Sequence, residues 1–163
     1  MSDAAARGRQ AHRDGDVGEM VARVTLQGMG LEMIEKIHTP WKVIFKTLPG
    51  GGRKVVNAFP QEKVSGDFRA VYPRTGQSVL IEVKSRMDRD TFRWSDLEPH
   101  QRESLDNHWR LGGLSLVVWV IESGEAIVLP WPIEGLSRGK SVSWDAAVDI
   151  QWTGVPREYY GAI

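Results

Sequence analysis

Three side chains in the middle of the chain could act together chemically: Asp67, Glu82 and Lys84. Glu82 and Lys84 lie two residues apart in the run SVLIEVKSR, which starts at residue 78 and has the composition of a strand. Because successive side chains of a strand point to opposite sides, this pair shares one face with Leu80. Such a face offers a ligand for a cation beside a fixed positive charge. The alternative is the polar outer face of an ordinary surface strand.

Asp67 can reach this pair through a β-hairpin. The strand-like segment DFRAVY begins at Asp67, and the turn-forming segment PRTGQ separates it from SVLIEVKS. Asp67 then begins one strand while Glu82 lies well inside the neighbouring strand. The two carboxylates can therefore meet although 15 positions separate them.

Two helices are predicted on either side of this hairpin. The first, from about residue 16 to 27, is indicated by apolar residues at spacings of three and four: Val17, Met20, Val21 and Val24. The second begins near Pro99 and ends before Gly112. Its core-facing stripe has residues at intervals of four: Gln101, Leu105 and Trp109. A glutamine on that stripe needs a polar partner.

Further strands are predicted at 31–37, 41–48, 54–59, 114–121 and 125–130. The run LSLVVWVI, which starts at residue 114, is almost wholly apolar, as expected for a strand that is covered on both faces. The order helix, strands, helix, strand predicts an α/β fold with a central mixed β-sheet flanked by helices. After Trp131 no clear pattern follows, although residues 144–152 could close or cover a sheet edge.

Composition predicts a single globular domain in the cytoplasm. The chain has 163 residues, of which 41% are apolar and 26% charged, and no apolar stretch is long enough for a membrane span. Because there are no cysteines, disulfides and thiolate metal sites are excluded. Residues 1–15 lack hydrophobic periodicity and are predicted to form a mobile basic arm, with residues 16–163 forming the domain.

Positive charge is concentrated in one segment although the formal net charge is zero. Between residues 36 and 63 there is one acidic residue, Glu62. The same segment contains six lysines and arginines: Lys36, Lys42, Lys46, Arg53, Lys54 and Lys63. This segment could contact phosphates, or its lysines could simply be solvated on a hairpin.

Three short motifs resemble the PD-(D/E)XK nuclease pattern: GDF at 66–68, IEVK at 81–84 and PHQ at 99–101. Within that superfamily, the order IHTPWKVI, VVNAF, GDFRAVY, IEVK and PHQRESL is similar to the RecU-like and archaeal-type Holliday junction resolvases. The similarity covers roughly residues 16 to 121. The proline of the superfamily's name is absent before Asp67.

The resemblance implies a restriction-endonuclease-like fold and a homodimer that resolves four-way DNA junctions with paired, symmetric cuts. It implies Mg²⁺ as cofactor, with Mn²⁺ as a substitute. Two alternatives remain at this point: a duplex endonuclease of the restriction or repair type with the same site, and a DNA-binding module that does not cleave. Origin from a phage, which would place the protein in the host cytoplasm, is equally compatible.

The resemblance also implies roles for individual residues. Asp67, Glu82 and the Val83 carbonyl would bind the metal, because Mg²⁺ prefers oxygen ligands and keeps several waters. Lys84 would hold the attacking water or the scissile phosphate, and Gln101 would orient water or Lys84. Glu19 would be a further metal ligand, unless it only stabilises the first turn of its helix, and Asp16 is the fallback.

Ten basic residues are predicted to contact DNA, although solvated side chains remain the alternative: Arg7, Arg9, Arg13, Lys42, Lys46, Arg53, Lys54, Arg86, Arg89 and Arg93. The predicted dimer interface comprises segments 31–37 and 41–59, which flank the basic surface.

Overall fold

The computed structural model describes the backbone of residues 3–60, 66–73, 75–86 and 89–154, and side chains from residue 15 onward except that of Pro60. Its helices are α1 (Asp3–Gly28), α2 (Pro99–Arg110) and α3 (Trp144–Asp149). Its strands are β1 (Glu32–Lys36), β2 (Trp41–Thr47), β3 (Arg53–Pro60), β4 (Phe68–Tyr72), β5 (Gln77–Ser85), β6 (Thr91–Arg93), β7 (Leu114–Val120), β8 (Ala126–Pro130) and β9 (Ser141–Ser143).

Five strands form a central mixed sheet in the order β1, β4, β5, β7, β8. Neighbouring strands are antiparallel except for β5 and β7, which run parallel because α2 connects them across one face of the sheet. β2 and β3 form a separate antiparallel hairpin, and β6 pairs with β9. The central mixed sheet flanked by helices is the architecture that the sequence pattern predicts.

Each face of the sheet has its own hydrophobic core. On the first face, α1 contributes Ala22 and Leu26, which pack with the inward residues of the strands, including Ile81 and Val118. On the second face, Leu105 of α2 packs in a cluster that also includes Trp119. β7 supplies residues to both clusters and is buried from Ser115 to Val120, which confirms the prediction of a strand covered on both faces.

Most of the apolar residues that indicate α1 in the sequence lie outside its buried face. Val17, Met20 and Val24 are exposed, whereas Val21 packs against the core of the first face. The buried face consists instead of Gly18, Ala22 and Leu26, at intervals of four. A Cβ atom at Gly18 would overlap the side chain of Ser85 on β5, so small residues let the helix lie close to the sheet. Small side chains carry little hydrophobic signal, and the sequence pattern therefore favours the wrong face.

α1 also begins earlier than predicted. Residues 3–15, expected to be an arm, continue the helix from Asp3. The side chains of Arg7, Arg9 and Arg13 lie outside the described part of the structure. No described helix, α1 included, is long and apolar enough to cross a membrane.

On α2, Trp109 is 45% exposed, contrary to the prediction that it faces the core. The last turn contacts the sheet through His108 instead, whose Nδ1 lies 2.9 Å from Ser115 Oγ and whose Nε2 lies 3.1 Å from Ser78 Oγ. Gly113 lies directly against the His108 ring, so close that a Cβ atom at this position would overlap the ring. The face of α2 that packs on the sheet therefore includes Leu105 and His108 and does not include Trp109.

The segment after Trp131 completes the fold at the β8 edge. Val142 of β9 and Ala147 of α3 are buried in the core of the second face. Farther along the chain, Trp152 packs against the core of the first face, and its backbone N–H donates a hydrogen bond to Val128 of β8 at 2.7 Å. The tail thus both covers the second face and closes the sheet edge.

Candidate active site

Asp67 is fixed at the start of β4 by its backbone. Its N–H donates to the Ile81 carbonyl and its own carbonyl accepts from Ile37, both at 2.8 Å. Gly66, which precedes it, has φ +79°, and a Cβ there would lie 2.6 Å from the Leu80 side chain and 3.0 Å from the Ile81 carbonyl. Glycine is therefore required in the GDF motif, because this turn needs both a left-handed backbone and close approach to β5.

The Asp67 side chain reaches across to β5. Its Oδ2 accepts a hydrogen bond from the Val83 N–H at 2.6 Å. In a strand the N–H and C=O of one residue point to the same side, so the Val83 carbonyl also points toward the Asp67 side of β5. The structure thus brings Asp67 beside the residue that follows Glu82, as the predicted hairpin requires.

Glu82, Lys84 and Gln101 form a closed, nearly buried triangle. Glu82 is 2% exposed, and its Oε1 lies 2.9 Å from Lys84 Nζ. Gln101 Nε2 donates a short hydrogen bond to Glu82 Oε1, and Gln101 Oε1 accepts one from Lys84 Nζ at 2.8 Å. The side-chain amide therefore binds the carboxylate through one end and the ammonium through the other. This is the polar partner that a glutamine on the buried stripe needs.

The N-terminus of α2 holds Gln101 in place. Gln101 is the third residue of the helix, and its Oε1 also accepts from the N–H of Glu98 at 2.8 Å. Pro99 stands in the first turn, where its missing N–H costs nothing. The same side chain thus caps α2 and orients the two charged groups of β5.

The two carboxylates of the site repel each other. Burial, and after it the nearby charge of Asp67, raise the pKa of Glu82 to about 7, although Lys84 and Gln101 act in the opposite direction. Burial likewise raises the pKa of Asp67, against the hydrogen bond from Val83. One lysine therefore does not fully balance two carboxylates in this partly dry site, and an additional cation would be favourable there.

The residues present fit a hard divalent cation that keeps part of its water shell. Among the described residues, no group of three acidic, histidine or cysteine side chains is clustered closely enough to hold a metal alone. Two carboxylates and one backbone carbonyl provide oxygen ligands of the type that Mg²⁺ prefers, and Mg²⁺ usually retains several waters. The donor set of Asp67, Glu82 and Val83 matches that requirement.

Glu19 lies at the margin of this site. Its carboxylate forms a short ion pair with Lys36 of β1, and this hydrogen bond raises the pKa of Lys36. The negative charge of Glu19 is nevertheless close enough to raise the pKa of Asp67, and the charge of Asp16 also raises the pKa of Lys36. The structure therefore places Glu19 beside the carboxylate pair but in contact with a lysine. Sequence reasoning does not identify Lys36 as part of this site. Its pairing with Glu19 arises only where α1 and β1 meet in the fold, so no local sequence pattern indicates it.

A sequence model of the family described as RecU: Recombination protein U matches residues 25–133, about two thirds of the chain. The chain belongs to this family. Among solved structures, it is similar to the 1.6 Å structure of Archaeoglobus fulgidus Hjc, described as a Holliday junction resolvase from an archaeal hyperthermophile. The TM-score is 0.53 at 16% identity, with 91% of this chain and 97% of the archaeal chain covered. A search of curated protein sequences found no match.

These findings confirm the predicted membership in the RecU-like group and the predicted fold class. At 16% identity the archaeal structure shows the common fold, with its central mixed sheet and flanking helices. The RecU match spans Asp67, Glu82, Lys84 and Gln101 but begins after Glu19. The family match therefore includes the carboxylate pair and its lysine, whereas Glu19 lies outside it.

The basic residues predicted to contact DNA fall into different environments in the RecU-family fold. Four are exposed on the hairpin of β2 and β3: Lys42, Lys46, Arg53 and Lys54. Arg86 and Arg89 instead turn toward the buried carboxylate of Asp96, with Arg86 Nε 3.2 Å from Oδ1 and Arg89 in a short ion pair. Arg93 is exposed at the end of β6. Arg86 and Arg89 therefore have a structural partner that the sequence pattern does not indicate.

Proposed function

We propose that this RecU-family protein is a metal-dependent endonuclease that resolves four-way DNA junctions. The observation that carries the proposal is the nearly buried triangle of Glu82, Lys84 and Gln101 beside Asp67. A module that only binds DNA gains nothing from two crowded carboxylates at a phosphate-binding surface, because they repel the phosphate. The archaeal neighbour with the same fold is described as a Holliday junction resolvase. With DNA as substrate, the proposed place of action is the cytoplasm.

In this proposal Asp67, Glu82 and the Val83 carbonyl would hold Mg²⁺, with Mn²⁺ as a substitute. When bound, such an ion neutralises phosphate oxygens and lowers the pKa of a bound water. Lys84 keeps a donor for the substrate, because its ammonium has three N–H groups and its contacts in the triangle are to Glu82 and Gln101. That donor would hold the attacking water or the scissile phosphate, while Gln101 fixes the direction of the ammonium.

The β2–β3 hairpin would grip DNA through one face. Lys46 lies directly opposite Lys54, and both are exposed. Like charges in direct cross-strand register destabilise a hairpin, so a bound phosphate would stabilise this arrangement. Lys42 lies on the same face of β2 as Lys46, since alternate residues share a face. Arg53 lies directly opposite Thr47 at the hairpin tip and therefore on the other face of the hairpin, where it adds a charge at the edge of the lysine face.

The other face of the hairpin would form a homodimer interface. Trp41, Val43 and Phe45 occupy alternate positions of β2 and are all exposed, and the positions between them are Lys42 and Ile44. A contiguous exposed apolar face of this kind commonly marks a protein interaction site. A two-fold dimer would present two identical active sites to the two strands that must be cut in a four-way junction. Junction selectivity would then follow from the geometry of the paired sites.

The deciding experiment compares cleavage of a four-way junction with cleavage of a linear duplex of matched sequence, with and without Mg²⁺. We expect paired cuts in the junction that require Mg²⁺ or Mn²⁺. Asp67→Asn and Glu82→Gln should abolish cutting while junction binding is retained or tightened, because each removes a metal ligand and a charge that repels phosphate.

Each competing function predicts a different result in this comparison. Equal cutting of the duplex and the junction would indicate an endonuclease of the restriction or repair type. Junction binding with no cutting in either metal would indicate a module that only binds DNA. Full cleavage by both variants would show that Asp67 and Glu82 are not metal ligands.

A further inference from the structure

A basic cleft of about 640 Å³ lies beside the N-terminal end of α2. Of its described lining residues four are basic and none is acidic: Arg93, Arg102, Arg138 and Lys140. None of these four forms an ion pair with another described residue. Like charges that share a cleft without counter-charges repel each other, and an anionic ligand would remove that repulsion.

The two walls of the cleft are joined by the backbone. Arg93 of β6 pairs with Ser141 of β9, and the Trp94 N–H donates to the Lys140 carbonyl at 3.1 Å. Arg138 and Lys140 stand on the turn that precedes β9, closed by a hydrogen bond from the Lys140 N–H to the Ser137 carbonyl at 2.8 Å. The cleft is therefore built from paired strands and a closed turn, so its two walls are held at a fixed separation.

Arg102 forms the rigid floor of the cleft. Its Nη1 donates to the Trp94 carbonyl at 3.0 Å and, by a short bond, to the Leu97 carbonyl. The guanidinium lies 4.8 Å from the centre of the Trp94 ring, and Trp94 stacks on Trp131 with ring centres 6.1 Å apart. A guanidinium has five N–H donors, so these contacts fix its position without using all of its donors. Such a fixed guanidinium is suited to the bidentate recognition of phosphate.

The cleft and the active site both use the N-terminal end of α2. Arg102 follows Gln101, which binds Glu82 and Lys84. The wall that carries Arg138 and Lys140, in contrast, lies beyond residue 133, where the match to the RecU family ends. The active site and the cleft are therefore connected through one end of α2, but one wall of the cleft comes from the segment that this family match does not include.

We propose that this cleft binds the DNA backbone at phosphates outside the cut site, through Arg93, Arg102, Arg138 and Lys140. The inference rests on the proposed function, because DNA is the substrate whose phosphates continue beyond the scissile bond. Positively charged grooves beside a reaction centre attract and align such a polyanion. The segment after residue 133 thereby extends the DNA-binding surface of the RecU fold.

The test measures binding of a labelled four-way junction by fluorescence anisotropy over a series of salt concentrations, in a Glu82→Gln background so that the junction is not cut. Arg138→Ala/Lys140→Ala should weaken binding roughly ten-fold or more at 0.1 M salt. The slope of log affinity against log salt should become less steep by about 0.9 for each phosphate that the variant no longer neutralises. Both side chains are exposed, so the melting temperature should not change.

Two controls accompany the double variant. Arg110→Ala removes one positive charge at the opposite end of α2, where Arg110 pairs with Asp106 at 2.8 Å, and should leave the salt slope unchanged. Arg138→Lys/Lys140→Arg keeps both charges and should retain most of the affinity. Ethylation interference should show that the double alanine variant loses sensitivity at phosphates away from the cut site.

Unchanged affinity and salt slope in Arg138→Ala/Lys140→Ala, with tight junction binding by the background protein, would overturn the cleft proposal alone. Equal losses in Arg110→Ala and in the double variant would also overturn it, because the effect would then be one of overall charge. Failure of the background protein to bind any junction would overturn the proposed function and the cleft proposal together.

Discussion

Lys84 differs from the other basic residues of the chain because it is held at both sides. Glu82 and Gln101 fix its ammonium next to the carboxylate pair, and its side chain is only 14% exposed. The lysines of the hairpin, in contrast, are exposed and have room to move. Under the proposed function, this difference in position would separate a lysine that acts on the reacting phosphate from lysines that only attract the DNA backbone.

Lys84→Ala should slow single-turnover cleavage at least about a hundred-fold, on the scale of removing one electrostatic interaction from the transition state. Lys54→Ala, the matched control, should weaken junction binding but leave the rate at saturating protein unchanged. Rates are measured with protein in excess over a labelled junction. A normal rate for Lys84→Ala would remove Lys84 from the mechanism.

His108 should make stability depend on pH. Burial lowers its pKa, and so does the positive charge of Arg69 on β4. Ser115 Oγ donates to the Leu105 carbonyl, so it accepts from Nδ1–H of a neutral ring whose Nε2 accepts from Ser78. The unfolded state therefore binds a proton more readily than the folded state does. His108 contributes its full stabilisation above the ordinary histidine pKa of about 6.5. This contribution is lost as the pH falls through the lower pKa of the folded state.

Thermal melting between pH 7.5 and 5 checks this prediction. His108→Gln should be less stable at pH 7.5 but should show a smaller further loss on acidification than the unmodified protein. His38→Gln is the control, because His38 is exposed. Identical pH profiles for the unmodified protein and His108→Gln would exclude His108 as the source.

At the scale of single residues, the sequence predicts the contacts that depend on local spacing. Glu82 and Lys84 share a face because they are two residues apart on a strand. The need of Gln101 for a polar partner is predicted from its position on the core-facing stripe at the start of α2. The pairing of Glu19 with Lys36 depends on how α1 crosses β1, which no spacing encodes. The contact of Arg86 and Arg89 with Asp96 likewise depends on the loop that follows β5.

Among the elements, α1 is governed by close packing at a glycine. Gly18→Ala should be less stable than Gly15→Ala by about 1–3 kcal/mol, because both gain helix propensity but the new methyl group at position 18 overlaps Ser85 in a packed interface. Gly15→Ala is the matched control: its Cβ would meet nothing within 4 Å, and it should stabilise the helix by up to about 1 kcal/mol. Urea unfolding measures both.

A double-mutant cycle makes this prediction specific. Ser85→Gly removes the side chain that the new methyl group would overlap, so Gly18→Ala should cost much less in that background. An equal cost in both backgrounds would show that Ser85 does not limit the approach of α1.

The presence of α1 can be predicted from the sequence, but the face of α1 that is buried cannot. Apolar and β-branched runs predict the strands of the sheet to within a residue or two, because their signal is local. Which face of α1 is buried depends on Gly18 and Ala22, whose hydrophobic signal is weak although they allow the closest approach. Val17 and Met20 carry the stronger signal but lie outside the core.

The hairpin of β2 and β3 should contribute to DNA affinity and not to the metal chemistry. Lys42→Glu/Lys46→Glu should weaken junction binding and make its salt dependence less steep, by about 0.9 in slope for each phosphate that is no longer neutralised. The Mg²⁺ concentration for half-maximal cleavage should stay the same. Anisotropy over a salt series and a metal titration measure the two quantities. An unaltered salt slope would contradict a phosphate-binding role for this face.

At the scale of the whole molecule, the two cores explain why the tail is necessary. Without β9 and α3, the second face of the sheet would expose part of the cluster around Trp119, whose ring contacts Phe92 and Trp144. The sequence after Trp131 shows no clear pattern because these elements are three and six residues long. Short elements are fixed by the surface they cover more than by their own periodicity.

Dimerisation should depend on the apolar face of the same hairpin whose other face carries the lysines. Trp41 and Phe45 are 59% and 53% exposed, although such large aromatic side chains gain most from burial. Light scattering should therefore report about twice the chain mass of 18.3 kDa. Trp41→Glu/Phe45→Glu should give a folded monomer, whereas Lys42→Glu/Lys46→Glu should remain a dimer, because the lysines point to the opposite face.

The consequence for activity follows from the need for two cuts. The monomeric variant should nick junctions without resolving them, and a mixed dimer with one active subunit and one Glu82→Gln subunit should cut a single strand. Denaturing gels of doubly labelled junctions distinguish one cut from two. A monomer that makes paired cuts, or a Trp41→Glu/Phe45→Glu variant that remains a dimer, would contradict an interface at this face. In either case a two-fold dimer that forms through the β2–β3 hairpin would no longer explain how two symmetric cuts are made in a four-way junction.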